Sequence, residues 1–186
     1  MKRNTFTLIE ILGVLIVIAI LATLGFAGYS YANNKSKESA TQGLITRVNA
    51  AFEVAHQKSG FMPPAGSFST ITINQNANTL TIGGNTYSLT DRTTRVKKME
   101  AEFCKQFIQA LQMDSMSRFM ENNVVIDAWG NQVYFRYPGE FKTGGFDLIA
   151  AGSDGGFGSE NASTPTNTMS DYRDGNEWIC DDIANF

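Results

Sequence analysis

The carboxylates in the last third of the chain have residue types that suit metal binding. Asp154 stands in the run Gly-Ser-Asp-Gly-Gly, where glycines allow backbone carbonyls to turn inward. Further hard oxygen donors follow it: Glu160, Asn161, Asp171, Asp174, Asp181 and Asp182. Such donors suit calcium, although the spacing of an EF-hand is absent. The alternative is a solvated acidic loop in which aspartate and asparagine serve as turn residues.

Other reactive side chains are sparse, and their pattern argues against an enzyme. His56 is the only histidine, so neither a histidine-based triad nor a histidine zinc site can be assembled. No P-loop or dinucleotide-binding glycine pattern occurs. The formal net charge of −3 gives no basic footprint for nucleic acid. We therefore expect no catalytic activity and no nucleic-acid partner.

One acid interrupts the apolar N-terminal part of the chain. Residues 11–27 contain neither charge nor proline, and residues 6–10 extend this segment to the length of a membrane span. Placing the Glu10 carboxylate deep in lipid would cost up to about 3 kcal/mol. An acid in such a segment therefore usually has a partner with which it pairs. A plain uncleaved signal anchor, with Glu10 reaching the interface, is the alternative.

The charges that flank the span predict its orientation. Lys2 and Arg3 precede it, and a polar stretch follows it. By the positive-inside rule, the N-terminus stays in the cytoplasm and the chain beyond about residue 30 is exported. Outside the cytoplasm, the even number of cysteines favours a disulfide between Cys104 and Cys180. Two buried free thiols are the alternative if the topology differs.

Hydrophobic periodicity predicts the elements that position these residues. One helix is expected from about residue 6 to residue 58, apolar in its first half and amphipathic in its second. A second helix is expected over about residues 95–122, with Met113, Met116 and Met120 in core packing. Strands are predicted at residues 71–73, 79–82, 86–89, 124–126, 133–137 and 146–149. The threonine-rich meander at residues 68–90 is expected to be exposed surface.

The N-terminal pattern is similar to that of a known family of filament proteins. Phe-Thr-Leu-Ile-Glu at residues 6–10, followed by the apolar run, resembles the class III signal of type IV pilins and type II secretion pseudopilins. The resemblance implies that a prepilin peptidase cuts between Thr5 and Phe6 and methylates the new amino group. Thr5 stands where the family normally has glycine, so slow cleavage is expected. The resemblance also implies that Glu10 pairs with the Phe6 ammonium group of a neighbouring subunit.

The last third of the chain resembles the major pseudopilin of type II secretion. An Asp-Ala-Trp-Gly-Asn turn at residues 127–131 precedes an aromatic strand, a Pro-Gly turn, a Phe-Asp-Leu strand and a Gly-Ser-Asp-Gly loop. In that family the loop binds calcium, and the resemblance implies Asp154, Glu160 and Asp182 as ligands. Trp129 is expected to anchor its turn as a buried aromatic residue. The meander and residues 162–180 have no counterpart in the family pattern.

These expectations describe a pilin-like α+β protein, in which a long N-terminal helix packs on a small antiparallel sheet with a second helix. Residues 1–5 are the expected leader peptide. Residues 6–29 are the expected transmembrane and polymerisation helix, and residues 30–186 the expected periplasmic globular domain. The expected location is the bacterial inner membrane, crossed once, and a filament after assembly.

The implied function is that of a structural subunit of a pseudopilus or type IV pilus-like filament, with a type II secretion pseudopilin as the leading expectation. Its expected partners are further copies in a homo-oligomeric filament, the prepilin peptidase, the inner-membrane assembly machinery and the membrane. The alternative is a membrane-anchored adhesin or binding domain that does not polymerise. A filament subunit needs both Phe6 processing and Glu10, whereas an anchored binding domain needs neither.

Overall fold

The computed structural model describes residues 8–112, 115–159, 161–166, 168–174, 177–178 and 180–186. The chain divides into two units, residues 1–36 and residues 37–186. One helix, α1 (Leu8–Ser59), supplies the described residues of the first unit and begins the second. The predicted helix over about residues 6–58 is therefore present, and its first two residues lie outside the described range.

In the first unit, α1 carries a continuous apolar surface. Every side chain whose burial is described between residues 8 and 36 is exposed, for example Leu8 at 85% and Phe26 at 76%. An 18-residue window has a mean hydropathy of 2.7, so by length and composition α1 can cross a membrane. A surface of this kind is typical of residues that meet lipid or another apolar surface.

From Lys37 onward, α1 belongs to the second unit and is amphipathic, as predicted. Its core-facing side chains are at most 2% exposed and recur at helical spacing: Leu44, Ile45, Val48, Ala51, Phe52 and Ala55. The polar residues on the other face, such as Gln42 and Glu53, are exposed. Burial of this apolar face makes the second half of α1 part of the folded unit.

All pairs between the strands of the described residues are antiparallel. The strands are β1 (Ala65–Thr70), β2 (Thr72–Asn74), β3 (Thr79–Ile82), β4 (Asn85–Ser88), β5 (Met120–Glu121), β6 (Val124–Val125), β7 (Val133–Tyr137), β8 (Asp147–Ala150), β9 (Arg173–Asp174), β10 (Glu177–Trp178) and β11 (Ile183–Ala184). One sheet has the order β1-β7-β8-β11 and a second has the order β4-β3-β2-β6-β5. Strands β9 and β10 form a separate hairpin. The predicted α+β fold is confirmed.

The four-stranded sheet is completed by residues near the end of the sequence. Strand β11 pairs with β8 at its edge. Beyond it, Asn185 Oδ1 accepts a hydrogen bond from the backbone N–H of Leu148 at 2.7 Å. The Asn185 amide Nδ2 donates to Oδ1 of Asn49 in α1 at 2.8 Å. The edge strand is thus tied both to its neighbour and to α1.

The second helix, α2 (Arg95–Leu111), is shorter than predicted. Thr94 Oγ1 caps its start by accepting from the N–H of Lys97 at 3.1 Å. The helix ends at Gln112, which adopts a left-handed conformation with φ of 51°. The prediction of residues 95–122 is wrong beyond residue 111, because the chain turns into a 3₁₀ turn (Ser117–Phe119) and then into β5.

Two methionines account for the difference between the predicted end of α2 and the observed one. Met116 is fully buried and Met120 is half-buried against the main core, so both continue the apolar spacing of α2. Their expected role in core packing is confirmed, and Met113 lies outside the described residues. Asn122 and Asn123 both have positive φ and form the β5–β6 turn, which a helix could not accommodate.

Strands β2, β3 and β4 of the meander belong to the five-stranded sheet, whereas residues 68–70 end β1 of the four-stranded sheet. The expectation that the meander is exposed surface is wrong for one of its faces. Five of its apolar side chains are at most 4% exposed: Ile71, Ile73, Leu80, Ile82 and Tyr87. The alternation along β2 and β3 turns these side chains inward, while the threonines between them stay half-buried.

Phe52 lies at the centre of the main core. Its ring stacks on Phe135 of β7 with 4.3 Å between ring centroids. It also contacts Phe107 of α2 at 4.5 Å and Phe146, next to β8, at 5.2 Å. One side chain of α1 therefore joins both the second helix and the four-stranded sheet.

A second, smaller hydrophobic cluster includes part of residues 162–180, the segment that has no counterpart in the family pattern. Tyr172 is fully buried there and contacts the rings of Phe141 at 5.7 Å and Phe186 at 6.1 Å. The Tyr172 hydroxyl accepts from the N–H of Thr166 at 2.7 Å and donates to its carbonyl at 3.2 Å. Residues 162–180 are therefore anchored by a core of their own.

Replacing Phe52 by alanine tests the central packing. We expect Phe52→Ala to lower the free energy of unfolding by about 3–5 kcal/mol, because it leaves a cavity between four aromatic rings. The measurement is urea unfolding of the full chain in detergent, followed by tryptophan fluorescence. Val54→Ala is the matched control, since Val54 lies on the exposed side of the same turn at 36% exposure. Equal losses in the two variants would contradict the assignment of Phe52 to the core.

Candidate functional site

Glu10 lies in the first turn of α1, inside the apolar surface. It is exposed within the first unit, as are its neighbours Ile9 and Ile11. The predicted cleavage position, Thr5 and Phe6, lies outside the described residues. The expected pairing of Glu10 with a neighbouring Phe6 remains a prediction.

A buried aspartate builds the turn at residues 127–131. Asp127 is 1% exposed, and its Oδ1 accepts from the backbone N–H groups of Trp129 and Asn131, both at 2.8 Å. Gly130 has φ of 97°, a conformation that favours glycine. Burial raises the pKa of Asp127, although these hydrogen bonds work in the opposite direction. Trp129 packs against the main core, as expected of an anchor for this turn, but it is half-buried and not buried as predicted.

This turn connects α1 with the glycine-rich loop. Thr41 of α1 is fully buried, and its Oγ1 accepts from the N–H of Ala128 at 3.1 Å. On the other side, the Asn131 amide Nδ2 donates to the carbonyl of Gly152 at 2.9 Å. The turn therefore holds the loop in place relative to the second half of α1.

Glycines in the loop permit close approach of backbone segments. Gly152 has φ of 75°, and a Cβ there would collide with the carbonyl oxygen of Asp181. A Cβ on Gly156 would lie 2.6 Å from the Cα of Asn161. The start of the loop at Gly152 is thus pressed against Asp181, and Gly156 is pressed against Asn161. The first of these contacts brings together two acidic regions that are distant in sequence.

Asp181 binds the loop through its carboxylate. Its Oδ2 accepts from the N–H and the Oγ of Ser153, both at 2.6 Å, and from the N–H of Asp154 at 3.1 Å. Partial burial opposes ionisation, but these hydrogen bonds prevail and lower the pKa of Asp181. Its charged form is the one that organises the loop.

Asp182, the neighbouring residue, is held in a contrasting environment. It is 7% exposed, and its Oδ2 accepts from the N–H of Gly158 at 2.7 Å. Its Oδ1 is buried, and no N–H or O–H donor among the described residues reaches it. Burial raises the pKa of Asp182 to about 6. Hydrogen bonds with the Cys180 thiol and the Gly158 N–H oppose this rise, and the charges of Asp181 and Asp154 add to it.

The predicted calcium ligands are only partly brought together. Asp154 is exposed, and its Oδ1 accepts from the N–H of Gly156 at 3.0 Å, while Glu160 lies outside the described residues. Within the part of the chain that the structure describes, no three His, Cys, Asp or Glu side chains form a group that could hold a metal. Asp181 was missing from the predicted ligand set, although its adjacency to Asp182 was the available signal.

The structure does not contain the predicted disulfide. Cys104 is fully buried in the main core, whereas Cys180 is half-buried beside the second cluster. Both thiols are free. Burial raises the pKa of each to about 12, helped at Cys104 by the charge of Glu100 and at Cys180 by Asp182. Neither thiol is therefore a reactive nucleophile near neutral pH.

The aspartate of the Phe-Asp-Leu strand has a structural role. Asp147 is fully buried, and its Oδ2 accepts from the N–H groups of Glu140 at 2.7 Å and Phe141 at 3.0 Å. Its Oδ1 accepts from the N–H of Lys142 at 2.9 Å. This carboxylate organises the loop after the Pro-Gly turn through three backbone N–H groups.

The long N-terminal helix and the antiparallel sheets form an α+β, pilin-like arrangement. The family model for type II secretion system protein G matches residues 101–167. This match supports the pseudopilin, pilin-like family and confirms the resemblance seen in residues 127–131 and in the loop. That family is a component of a secretion system, not a family of enzymes. Comparisons with curated proteins and with solved structures gave no significant match.

The contrast between Asp181 and Asp182 predicts a dependence of stability on pH. Between about pH 4 and pH 6 the native Asp182 keeps a proton that the unfolded chain has released, since its native pKa is about 6. Its contribution to stability is therefore present below about pH 4 and is lost as the pH rises through about 6. The full effect is on the order of 3 kcal/mol.

Asp182→Asn should remove this dependence while keeping an acceptor for the N–H of Gly158. The difference in unfolding free energy between wild type and Asp182→Asn should fall by about 3 kcal/mol from pH 4 to pH 7 in metal-free buffer. Asp174→Asn, at an exposed position, should show no such trend. Parallel pH curves for wild type and Asp182→Asn would contradict the raised pKa.

Proposed function

We propose that this protein is a pseudopilin that polymerises into the filament of a type II secretion system. The match of residues 101–167 to protein G of that system carries the proposal. The apolar surface of α1 at residues 8–26 supports it, because a filament whose core is made of such helices would cover that surface.

The proposed mechanism is a transfer of α1 from lipid to the filament core. Apolar side chains such as Leu12, Ile16 and Ile20 are each more than half exposed within the subunit. Their removal from water is therefore favourable both in lipid and in a filament core. Glu10 would pair with the Phe6 ammonium group of a neighbouring copy. A misaligned copy leaves a buried charge unpaired, so this pair would set the register of assembly.

In this proposed function the chain crosses the membrane once, with its N-terminus in the cytoplasm. Residues 1–5 form a leader that the prepilin peptidase removes slowly, because Thr5 replaces glycine. Residues 6–29 cross the inner membrane, and residues 30–186 lie in the periplasm. Lys2 and Arg3 before the span support this orientation.

A calcium ion at the glycine-rich loop is the second part of the proposal. Asp154, Glu160 and Asp182 would supply carboxylate oxygens, and backbone carbonyls of the loop would complete the large, flexible coordination that calcium accepts. The support is the buried Oδ1 of Asp182, which no described N–H or O–H donor reaches. A bound cation would supply the missing partner and keep Asp182 ionised.

The role of Glu10 is tested by Glu10→Ala, with Glu10→Gln as the matched variant of similar size. Both should insert into the membrane as well as wild type, since each removes an intramembrane acid. Both should reduce filament formation sharply, because the partner ammonium group loses its counter-ion. Filament yield is measured by shearing and immunoblotting, and the mature N-terminus is checked by mass spectrometry. Normal filaments from Glu10→Gln would rule out the pairing mechanism, and an anchored binding domain would tolerate both changes.

Calcium binding is tested by the melting temperature of the full chain in detergent. Calcium at about millimolar concentration, where extracellular modules typically bind, should raise it, and magnesium should not. Asp154→Ala should abolish the shift, whereas Asp174→Ala should keep it because Asp174 is outside the proposed ligand set. An unchanged wild-type melting curve would instead favour the solvated acidic loop.

A further inference from the structure

The outer face of α2 carries three cations without acidic partners. Arg95, Lys98 and Lys105 are three and seven residues apart, so they share one face of the helix, and all three are exposed. In the described part of the chain, none of them forms an ion pair or a side-chain hydrogen bond. We call these three residues the basic stripe.

The acids beside the basic stripe are engaged elsewhere. Glu102 Oε1 accepts from Gln106 Nε2 at 2.6 Å, and the other oxygen lies 4.0 Å from the guanidinium group of Arg92. Glu100 is 9% exposed and pairs with Lys97 at 2.7 Å. Among the described residues, neither of these acids forms an ion pair with a member of the basic stripe.

The first two cations of the basic stripe interact unfavourably with the dipole of α2. Arg95 and Lys98 lie at the start of α2, where the positive end of the helix dipole favours acids. The first turn of α2 contains no acid. Reversing these charges should stabilise the helix, so the stability of the single subunit does not account for the cations.

The opposite charge is concentrated at the other end of the sequence. Residues 151–186, the acidic segment, contain seven acids and one base, a net charge of −6, whereas residues 1–150 contain fourteen bases and eleven acids, a net charge of +3. Asp154, Asp174 and Asp181 are exposed. Asp154 and Asp181 accept hydrogen bonds within the loop, which leaves Asp174 as the most available of the three.

We propose that the basic stripe of one copy binds the acidic segment of the next copy, with Asp174 among the carboxylates that face Lys98 and Lys105. This contact rests on the proposed filament function. It joins two different surfaces of the same chain, so each copy offers one free surface at either end, and such a heterologous contact extends into an open helical array. Complementary charge would also orient an incoming copy before its apolar helix is buried.

A second copy fits this surface better than nucleic acid does. The net charge of the chain is −3, and the stripe contains only three cations. An acid, Glu102, lies between two of them in sequence. Nucleic-acid binding normally requires a larger basic face. A matching acidic segment, in contrast, is present in every copy.

The test is the variant Arg95→Glu/Lys98→Glu/Lys105→Glu in the full chain, expressed with its assembly machinery. Filament yield should fall about tenfold, because like charges then meet at the contact. The melting temperature should stay equal or rise, since acids now lie at the start of α2. Loss of yield together with loss of thermal stability would overturn the proposal, because a folding defect would then explain both. Arg118→Glu, an exposed cation outside the stripe, is the matched control and should assemble normally.

A charge swap and a crosslink complete the test. Lys98→Glu should assemble poorly, and the addition of Asp174→Lys should restore most of the yield. If the triple variant assembles like wild type, the contact is wrong while the filament function stands. If wild type forms no filaments, the proposed function fails, and carbodiimide crosslinking of mixed light and heavy copies decides the contact. Crosslinks from Lys98 or Lys105 to Asp174 between copies would support it, and their absence would overturn it.

Discussion

The packing of Phe52 is the contact on which the folded unit depends. Its ring meets Phe135 of β7, Phe107 of α2 and Phe146 beside β8, so a single side chain holds α1 to both other layers. Aromatic contacts of this size dominate the energetics of a small core. The remaining core positions of α1, such as Val48 and Ala55, fall on the same face and extend the contact along the helix.

Around this core, aspartate carboxylates give shape to loops that have little regular structure. Asp127, Asp147 and Asp181 each accept hydrogen bonds from two or three groups, mostly backbone N–H groups of a neighbouring turn. Such hydrogen bonds to a charged acceptor are stronger than those between neutral groups. Asp182 differs, because burial prevails there and raises its pKa to about 6. Two adjacent aspartates with opposite pKa shifts thus lie at one loop.

Periodicity in the sequence predicted the elements with long apolar patterns and missed those that depend on tertiary contacts. α1 and β7 follow their patterns closely, whereas α2 ends at Gln112 although Met116 continues its spacing. Residues 162–180, rich in threonine, serine, asparagine and aspartate, have no period from which Tyr172 could be recognised as a core residue. At the candidate site, the turn at residues 127–131 was expected, but the role of Asp181 as acceptor for the loop depends on a contact across 28 residues.

The late position of β11 has a consequence for how the subunit matures. Strand β8 gains its partner on one side only when residues 183–184 are available, and Leu148 gains its hydrogen bond only with Asn185. A ribosome holds the most recently added residues in its exit tunnel, so this edge of the sheet can pair only after residues 183–185 have left the tunnel, well after β8 itself. In that interval the backbone groups along one edge of β8 have no strand partner, and such an edge can pair with another chain. The newly made subunit is therefore most exposed to non-native association before β11 arrives.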